Sequence, residues 1–295
     1  MRDQSKIELS VIIVSWNTGR LIENCLKSIY KTVSHIDFEI IVIDNNSSDN
    51  TVQMIEKNFP NIILIKNNSN LGFASANNQG IARAKGDFLL LLNPDTILLS
   101  NSIPPSLEEL KKDHKIAVLG AKILNPDLSL QPSCRRFPDL ASQILILLKI
   151  HNLFPHLRPL KKYLMSDWPH NEKREVDQVM GAYFLTKREI IEEAGVLDEK
   201  YKLYFEEVDF CYRVKQMGYK VVFFPEAKII HYQGESFKQV RGLKSQIYWN
   251  NSLRRYFKKY GRPFQYSFLT ILYPISIFLA LIVQVLIKLK IIAKK

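Results

Sequence analysis

Four short apolar runs punctuate the first hundred residues: Leu9 to Trp16, Glu39 to Ile43, Ile62 to Ile65 and Phe88 to Leu92. Each is continuous instead of alternating and is rich in β-branched residues or leucine, the pattern of strands buried on both faces. The stretches between them have helical spacing. Arg20 to Thr32 sets Leu21, Cys25, Leu26 and Ile29 on one face, Thr51 to Asn58 offers Val52 and Ile55, and Ala74 to Lys85 supplies small residues that pack closely on a sheet. Strand and helix alternating in this way predict an α/β fold with a doubly wound, mainly parallel sheet and ligands at the carboxyl ends of its strands.

From Pro126 to Asn171 the alternation fails. Six prolines interrupt it, and Leu140 to Leu164 contains no acid. The part from about 140 to 165 reads as an insertion over the sheet. It mixes Ile144 to Leu148 with Lys149, Arg158, Lys161 and Lys162, which suits contact with a membrane surface or an acceptor, and equally a partly buried cap. Val179 to Thr186 then predicts a strand and Lys187 to Ala194 a helix.

Charge changes this picture at one end only. The chain of 295 residues has a formal net charge of +12, and Ser236 to Lys295 holds twelve lysines or arginines with no aspartate or glutamate. Residues 1–235 are therefore neutral on balance. The same basic stretch carries an uncharged apolar run, Phe264 to Ile287, whose 24 residues reach roughly 36 Å, enough to cross a hydrocarbon core of about 30 Å with tilt. Pro274 interrupts it and basic residues flank both ends, so a spanning helix is only slightly favoured over a bent helix lying in the cytoplasmic interface. A buried core helix fits poorly, because core helices seldom stay uncharged for so long.

The apolar stretch at the N-terminus is short, follows Asp3 and Glu8 and lacks a cleavage site, so no export is expected and the body of the protein is placed in the cytoplasm. Cys25, Cys134 and Cys211 are scattered without metal-ligand spacing and read as packing residues in a reducing compartment. A nucleic-acid partner is not expected. No nucleic-acid fold is recognisable, the globular part has no basic stripe with interleaved stacking aromatics, and the uncharged run of the tail suits lipid better.

The chemistry collects where predicted strands end. Val14-Ser15-Trp16-Asn17 closes the first and Asp44-Asn45-Asn46-Ser47-Ser48-Asp49 the second, setting the acceptor-only carboxylate of Asp44 at the crevice, within reach of a nucleobase N–H or a ribose hydroxyl. Taken alone, Asp44 shapes a turn and Ser48 or Asp49 caps a helix. Asn70-Leu71-Gly72 through Gly80 permits close backbone approach at Gly72 and offers the amide of Asn77, yet neither GxGxxG nor GxxxxGK[ST] is present. Leu92-Asn93-Pro94-Asp95-Thr96 delivers a hard carboxylate able to hold Mg²⁺ or Mn²⁺. Further on stand three acids, Glu206, Glu207 and Asp209, and then His231. The acids could serve only a helix N-terminus, with Asp209 paired to Arg213, and a lone histidine is more often satisfied or on the surface. Crowding is expected to raise the pKa of one of the three acids.

Together the segments SVIIVSWN, VIDNNSSDNT, NLGFASANNQGI, LLNPDT, VMGAYFLTKREII, GVLDEKYKLYFEEVDFCYRVKQMGY and HYQGES make a series that resembles the family 2 glycosyltransferases, most of all bacterial rhamnosyltransferase-like members, from Leu9 to about Ser236. The resemblance implies a GT-A fold, the nucleotide-diphospho-sugar transferase architecture, here followed by a C-terminal hydrophobic helix. It implies an inverting hexosyltransferase-type enzyme of cell-envelope polysaccharide biosynthesis, using a UDP- or dTDP-linked sugar, rhamnose among the candidates, and a lipid-linked or polysaccharide acceptor at the cytoplasmic face of the membrane. On this chain Val14, Trp16 and Asp44 would line the nucleoside, and Asn77 and Asn93 would contact base or ribose. Asn70, Gly72, Gly181 and Glu206 would complete the substrate site. Asp95 and His231 would hold a divalent metal, Mg²⁺ or Mn²⁺, and Glu207 would be the general base.

The expected division is a donor-binding half, 1–125, an acceptor and catalytic half, 126–240, and a membrane-associating region, 241–295. Many relatives carry aspartate where Asn93 stands, which leaves Asp95 as the one carboxylate of that motif and implies a weaker hold on the metal or a greater reliance on His231. The QxxRW motif of processive members is absent, since Gln246-Ile247-Tyr248-Trp249-Asn250 lacks the arginine, which implies addition of one sugar at a time. A second reading is a non-catalytic nucleotide-sugar-binding protein at the membrane, and the retained Asp95, Glu207 and His231 argue against it.

Overall fold

The computed structural model of the protein describes residues 7–33, 35–99, 101–232, 240 and 242–288. Gln233 to Ser236 of the HYQGES segment, and Lys290, Lys294 and Lys295 of the basic end, lie outside the described residues.

The first half follows the predicted alternation: β1 (Leu9–Ser15), α1 (Gly19–Thr32), β2 (Phe38–Asp44), α2 (Thr51–Asn58), β3 (Ile63–Lys66), α3 (Phe73–Arg83) and β4 (Phe88–Leu92). These strands pair in parallel in the order β3-β2-β1-β4. Their continuous apolar runs follow from burial on both faces. In β1, Leu9, Val11 and Ile13 pack among Ile22, Leu26 and Ile29 of α1, while Ile12 and Val14 pack with Ala74, Ala76 and Ile81 of α3. Every residue of the strand thus has a core to enter.

Beyond β4 come β5 (Thr96–Leu98), α4 (Ile103–Lys112), β6 (Ile116–Leu124), β7 (Leu130–Gln131), β8 (Cys134–Arg135), α5 (Leu140–Leu147), a single 3-10 turn at Ile150–Asn152, α6 (Arg158–Leu164), β9 (Arg174–Val176), β10 (Gln178–Val179), β11 (Tyr183–Lys187), α7 (Arg188–Ala194), α8 (Glu206–Gln216) and β12 (Lys220–His231). The sheet continues β4-β11-β6-β12-β5, with β11 antiparallel to both neighbours and β12 parallel to β6. One sheet therefore runs through the first two segments of the expected division. The insertion forms α5, the 3-10 turn and α6. All three cysteines are buried and free.

The chain ends in α9 (Leu243–Tyr260) and α10 (Pro263–Lys288), which continues through Pro274. A third core cluster, built from Leu147, Tyr201, Phe205, Val208, Leu253, Tyr256, Phe257 and Leu269, ties α5, α8, α9 and α10 together. Polar contacts lock α9 in place: Arg255 pairs with Asp198 at 2.6 Å, and the fully buried Asp209 takes Arg213 at 3.0 Å, Lys259 at 2.7 Å and the Tyr260 hydroxyl at 2.8 Å. Asp209 thus belongs to the framework.

Close packing of α3 on the sheet depends on Gly80. A Cβ there would lie 2.4 Å from Ile12 Cγ2 and 2.8 Å from Ile43 Cδ1. We expect Gly80→Ala to overpack this layer and destabilise the protein by about 1–3 kcal/mol, read as a lower urea midpoint at unchanged m-value.

Candidate active site

The carboxyl ends of β1, β2 and β4 open onto a cavity of about 250 Å³. Val14 is near the end of β1 and Trp16 follows it, Asn45 follows β2, Asn93 and Pro94 follow β4, and Asn70, Gly72 and Phe73 arrive from the start of α3. Gly72 has φ +91°, and a Cβ on it would stand 2.9 Å from the Lys202 carbonyl oxygen, so this position excludes side chains on two grounds. The close approach is what lets Lys202 and Leu203 form the opposite wall. Asn78 stitches the same loop to α3, donating to Leu197 O at 2.9 Å and accepting from Leu197 N at 3.1 Å.

Asp44 ends β2 beside this lining. It is 2% exposed, its Oδ2 accepts from Ser47 N at 2.9 Å, and its Oδ1 has no hydrogen-bond partner among the described residues. A buried acceptor of that kind suits a ligand donor. Asn77 is placed differently. Its amide donates to Phe73 O at 2.9 Å within α3, and it lines neither this cavity nor the next.

Asp95 sits in the turn between β4 and β5. β5 pairs antiparallel with the end of β12, setting Thr96 opposite His231, and Tyr232 N donates to Asp95 O at 2.9 Å. The side chains consequently meet: His231 Nε2 lies 3.3 Å from Asp95 Oδ1, both groups buried. On its other side His231 Nδ1 lies 2.7 Å from Gln131 Oε1, while Gln131 Nε2 donates to Asn125 Oδ1 at 2.8 Å and His231 O at 3.3 Å. Those two carbonyl acceptors fix the Gln131 amide, so Nδ1 carries a proton toward Gln131 Oε1 and Nε2 faces the carboxylate. Two acceptors so close need a cation between them, either a proton or a metal ion. An imidazole and a carboxylate fit Mn²⁺ or Mg²⁺ with the remaining positions left to phosphate oxygens and water. Among the described residues no cluster of three or more His, Cys, Asp or Glu side chains forms a fuller cage.

A second cavity of about 340 Å³ adjoins the first and shares Phe73, Asn93 and Leu203 with it. Gly181, His231, Glu206, Glu207, Arg135 and Trp249 are on its walls. Tyr204 and Phe205 precede α8 with φ +67° and +72°, left-handed values that bulky residues seldom adopt. Such strain, of order 1–3 kcal/mol per residue, gathers at functional sites. Here it turns the first residues of α8 into the cavity. Burial pushes Glu206 well above the usual carboxylate range, and the neighbouring charge of Glu207 adds to this. Burial raises Glu207 too, against its own backbone N–H and the charge of Arg135. The two carboxyls therefore titrate as a pair, in steps shifted above the usual range by burial.

The structure also places residues at the site that sequence reasoning passed over. Lys244 and Tyr248 of α9 line the first cavity, and Ser245 and Trp249 the second. Each pair is spaced i, i+4, the one signal that could have shown two functional faces on this helix.

Comparisons with known proteins agree with this geometry. A family model described as glycosyl transferase family 2 matches residues 10–195. An N-acetylglucosaminyl-diphospho-decaprenol L-rhamnosyltransferase of Mycobacterium tuberculosis is 26% identical over 252 residues, 77% of each chain. A low-salt glycan biosynthesis hexosyltransferase of Haloferax volcanii is 25% identical over 90% of this chain and 81% of its own. Among solved structures, a mannosyltransferase of Pyrobaculum calidifontis in complex with GDP-Man and Mn²⁺ aligns with TM-score 0.59 at 15% identity, covering 94% of this chain and 74% of that one. GalNAc-T7 with UDP, GalNAc and Mn²⁺ aligns with TM-score 0.61 at 19% identity over 86% of this chain, which spans 48% of GalNAc-T7. The fold is that of the GT-A glycosyltransferases.

The two carboxylates should titrate in separate steps, both above the ordinary glutamate value of about 4.3. In ¹³C NMR of the glutamate carboxyls, Glu207→Gln should lower the Glu206 titration by removing a like charge. Because both folded values are raised, the stability that the pair contributes is present at low pH and is lost as pH rises through them. Glu206→Gln should therefore raise the urea midpoint most on the alkaline side.

Proposed function

The chain belongs to glycosyl transferase family 2, and on that footing we propose that it is an inverting, non-processive enzyme moving one sugar from a nucleoside diphosphate to a hydroxyl of a lipid-linked or cell-surface polysaccharide acceptor. The observation that carries this reading is the pair of adjoining cavities. The first takes the nucleotide against Val14 and Trp16 with Asp44 beside its lining, the second takes the acceptor, and Asn93 is shared by both. The first half of the chain then serves as the donor-binding part and residues 126–240 supply most of the acceptor side.

Glu207, ionised, accepts the proton of the acceptor hydroxyl while the oxygen forms its bond to the anomeric carbon. The bond from that carbon to the diphosphate breaks on the opposite face, which inverts the centre. Lys202 and Lys244 bring positive charge to the donor cavity. Asp95 and His231 would hold a divalent ion, Mn²⁺ or Mg²⁺, which when bound neutralises charge on the leaving diphosphate. Asn93 in place of a second carboxylate leaves Asp95 and His231 to carry that role.

The names of the similar proteins guide the choice of substrates: rhamnose from a dTDP- or UDP-linked donor is the first sugar to test, and a diphosphate-linked polyprenyl sugar the first acceptor. Such an acceptor puts the reaction at a membrane, on the cytoplasmic face where nucleotide sugars are at hand. A basic, apolar C-terminal region supports that placement.

Incubated with a panel of nucleotide sugars and a lipid-linked acceptor, the purified protein should release nucleoside diphosphate. Glu207→Gln should slow release by about 10²–10⁴-fold while donor binding, measured by calorimetry, persists. Chelation of divalent ions should stop transfer and added Mn²⁺ restore it. Normal rates in Glu207→Gln would remove the assigned base, and donor binding without release by the unaltered protein would favour a non-catalytic binding role.

A further inference from the structure

The outward face of α10 is apolar along its length. Phe264, Phe268, Ile271, Ile275, Phe278 and Ile282 are exposed at helical spacing, while Leu269, Leu272, Ser276 and Ala280 on the opposite face are buried. The buried face is covered by α9, running antiparallel from one end to the other. Arg254 lies over Tyr266 at 5.9 Å and Tyr273 at 5.1 Å, Gln246 and Asn250 donate to Ser276 Oγ at 3.2 and 3.3 Å, and Gln284 Oε1 would lie 3.3 Å from a Cβ placed on Gly242. The contacts from Tyr266 to Gln284 occupy roughly 27 Å of helix axis. To cross a hydrocarbon core of about 30 Å, α10 would have to leave α9 or draw Arg254, Arg255 and Lys258 into lipid. Lying flat, it keeps every one of these contacts and still buries its apolar stripe.

A second apolar feature stands beside it. Leu153, Phe154 and Leu157 are 76%, 60% and 38% exposed, in the loop between α5 and α6. The end of α5 is bound to the same place: Leu147 packs with Leu253 and Leu269, and Lys149 Nζ donates to Gln246 Oε1, whose side-chain amide reaches Ser276 of α10. The surroundings are basic. Exposed Arg158 and Lys162 follow the loop, exposed Lys258 and Arg262 precede α10, and neither 140–164 nor 236–295 contains an acid.

We propose that the outward stripe of α10 and the 153–157 loop form one monotopic surface that seats in the interface of an anionic phospholipid bilayer, with the axis of α10 in the membrane plane. The apolar side chains enter the headgroup and acyl boundary, and the flanking cations meet lipid phosphates. The surface goes beyond the proposed reaction and would stand whichever sugar is transferred.

Spin labels on Phe268→Cys, Ile275→Cys and Ile282→Cys test the orientation, since the three native cysteines are buried. In vesicles of phosphatidylcholine and phosphatidylglycerol, depth measurements should put all three labels at one shallow level. A label at 275 near the bilayer centre, with 268 and 282 toward opposite faces, would overturn the proposal. Phe154→Asp should weaken partition to the same vesicles about tenfold with an unchanged urea midpoint, and unaltered partition would overturn the loop's part. Equal binding to phosphatidylcholine alone would overturn the anionic preference. None of these readouts uses sugar transfer, so a failed transfer assay and a failed docking test remain distinguishable.

Discussion

The pairing of the three-residue β5 with the end of β12 is the constraint on which the candidate site depends. Thr96 lies opposite His231 in that ladder, and the backbone of Asp95 receives Tyr232 N–H, so a turn after one strand and the last residue of another are fixed face to face. β12 reaches this point only after an irregularity between Phe224 and Lys228, which lets it stay with β6 on both sides while its end meets β5. Gln131, on β7 at the edge of β6, then sets the imidazole. Two very short strands, β5 and β7, at the end of the long apolar β12 thereby position a histidine and a carboxylate within ion-pair distance.

The large elements were legible in the sequence because burial on both faces leaves an unbroken apolar run. β1, β2 and β4 lie where such runs stand, and β3 is shifted by one residue, since Ile62 ends the preceding turn and Lys66 completes the ladder with Asp44. β5, β7, β8, β9 and β10 were not legible. Two or three residues have no period, and their conformation is set by the partner strand. The insertion read as a segment apart, yet its α5 owes its place to Leu147 in a core shared with α9 and α10.

The candidate site was legible to the extent that strand ends announce it. Val14, Trp16, Asn70, Gly72 and Asn93 surround one cavity, and Gly181, Glu206, Glu207 and His231 another. Asn77 shows the limit: an amide in a polar loop looks available, but the α3 backbone takes it through Phe73 O. The contribution of α9 was hidden for a different reason. Its lysines, arginines and aromatics read as the start of a basic tail, and only the packing against α8, through Asp209, Lys259 and Tyr260, turns its first two turns toward the cavities.

That placement of α9 has a consequence for which acceptors fit. One helix touches the first cavity with Tyr248, the second with Trp249 and α10 with Gln246 and Asn250. Trp249 is three residues from Gln246, roughly 4.5 Å along the axis. With α10 seated in a bilayer, the helix works as a ruler whose zero mark is the lipid surface. On the proposed seating of α10 and the proposed role of Glu207, an acceptor hydroxyl would be met close to the lipid surface, toward the lipid-proximal end of a glycan.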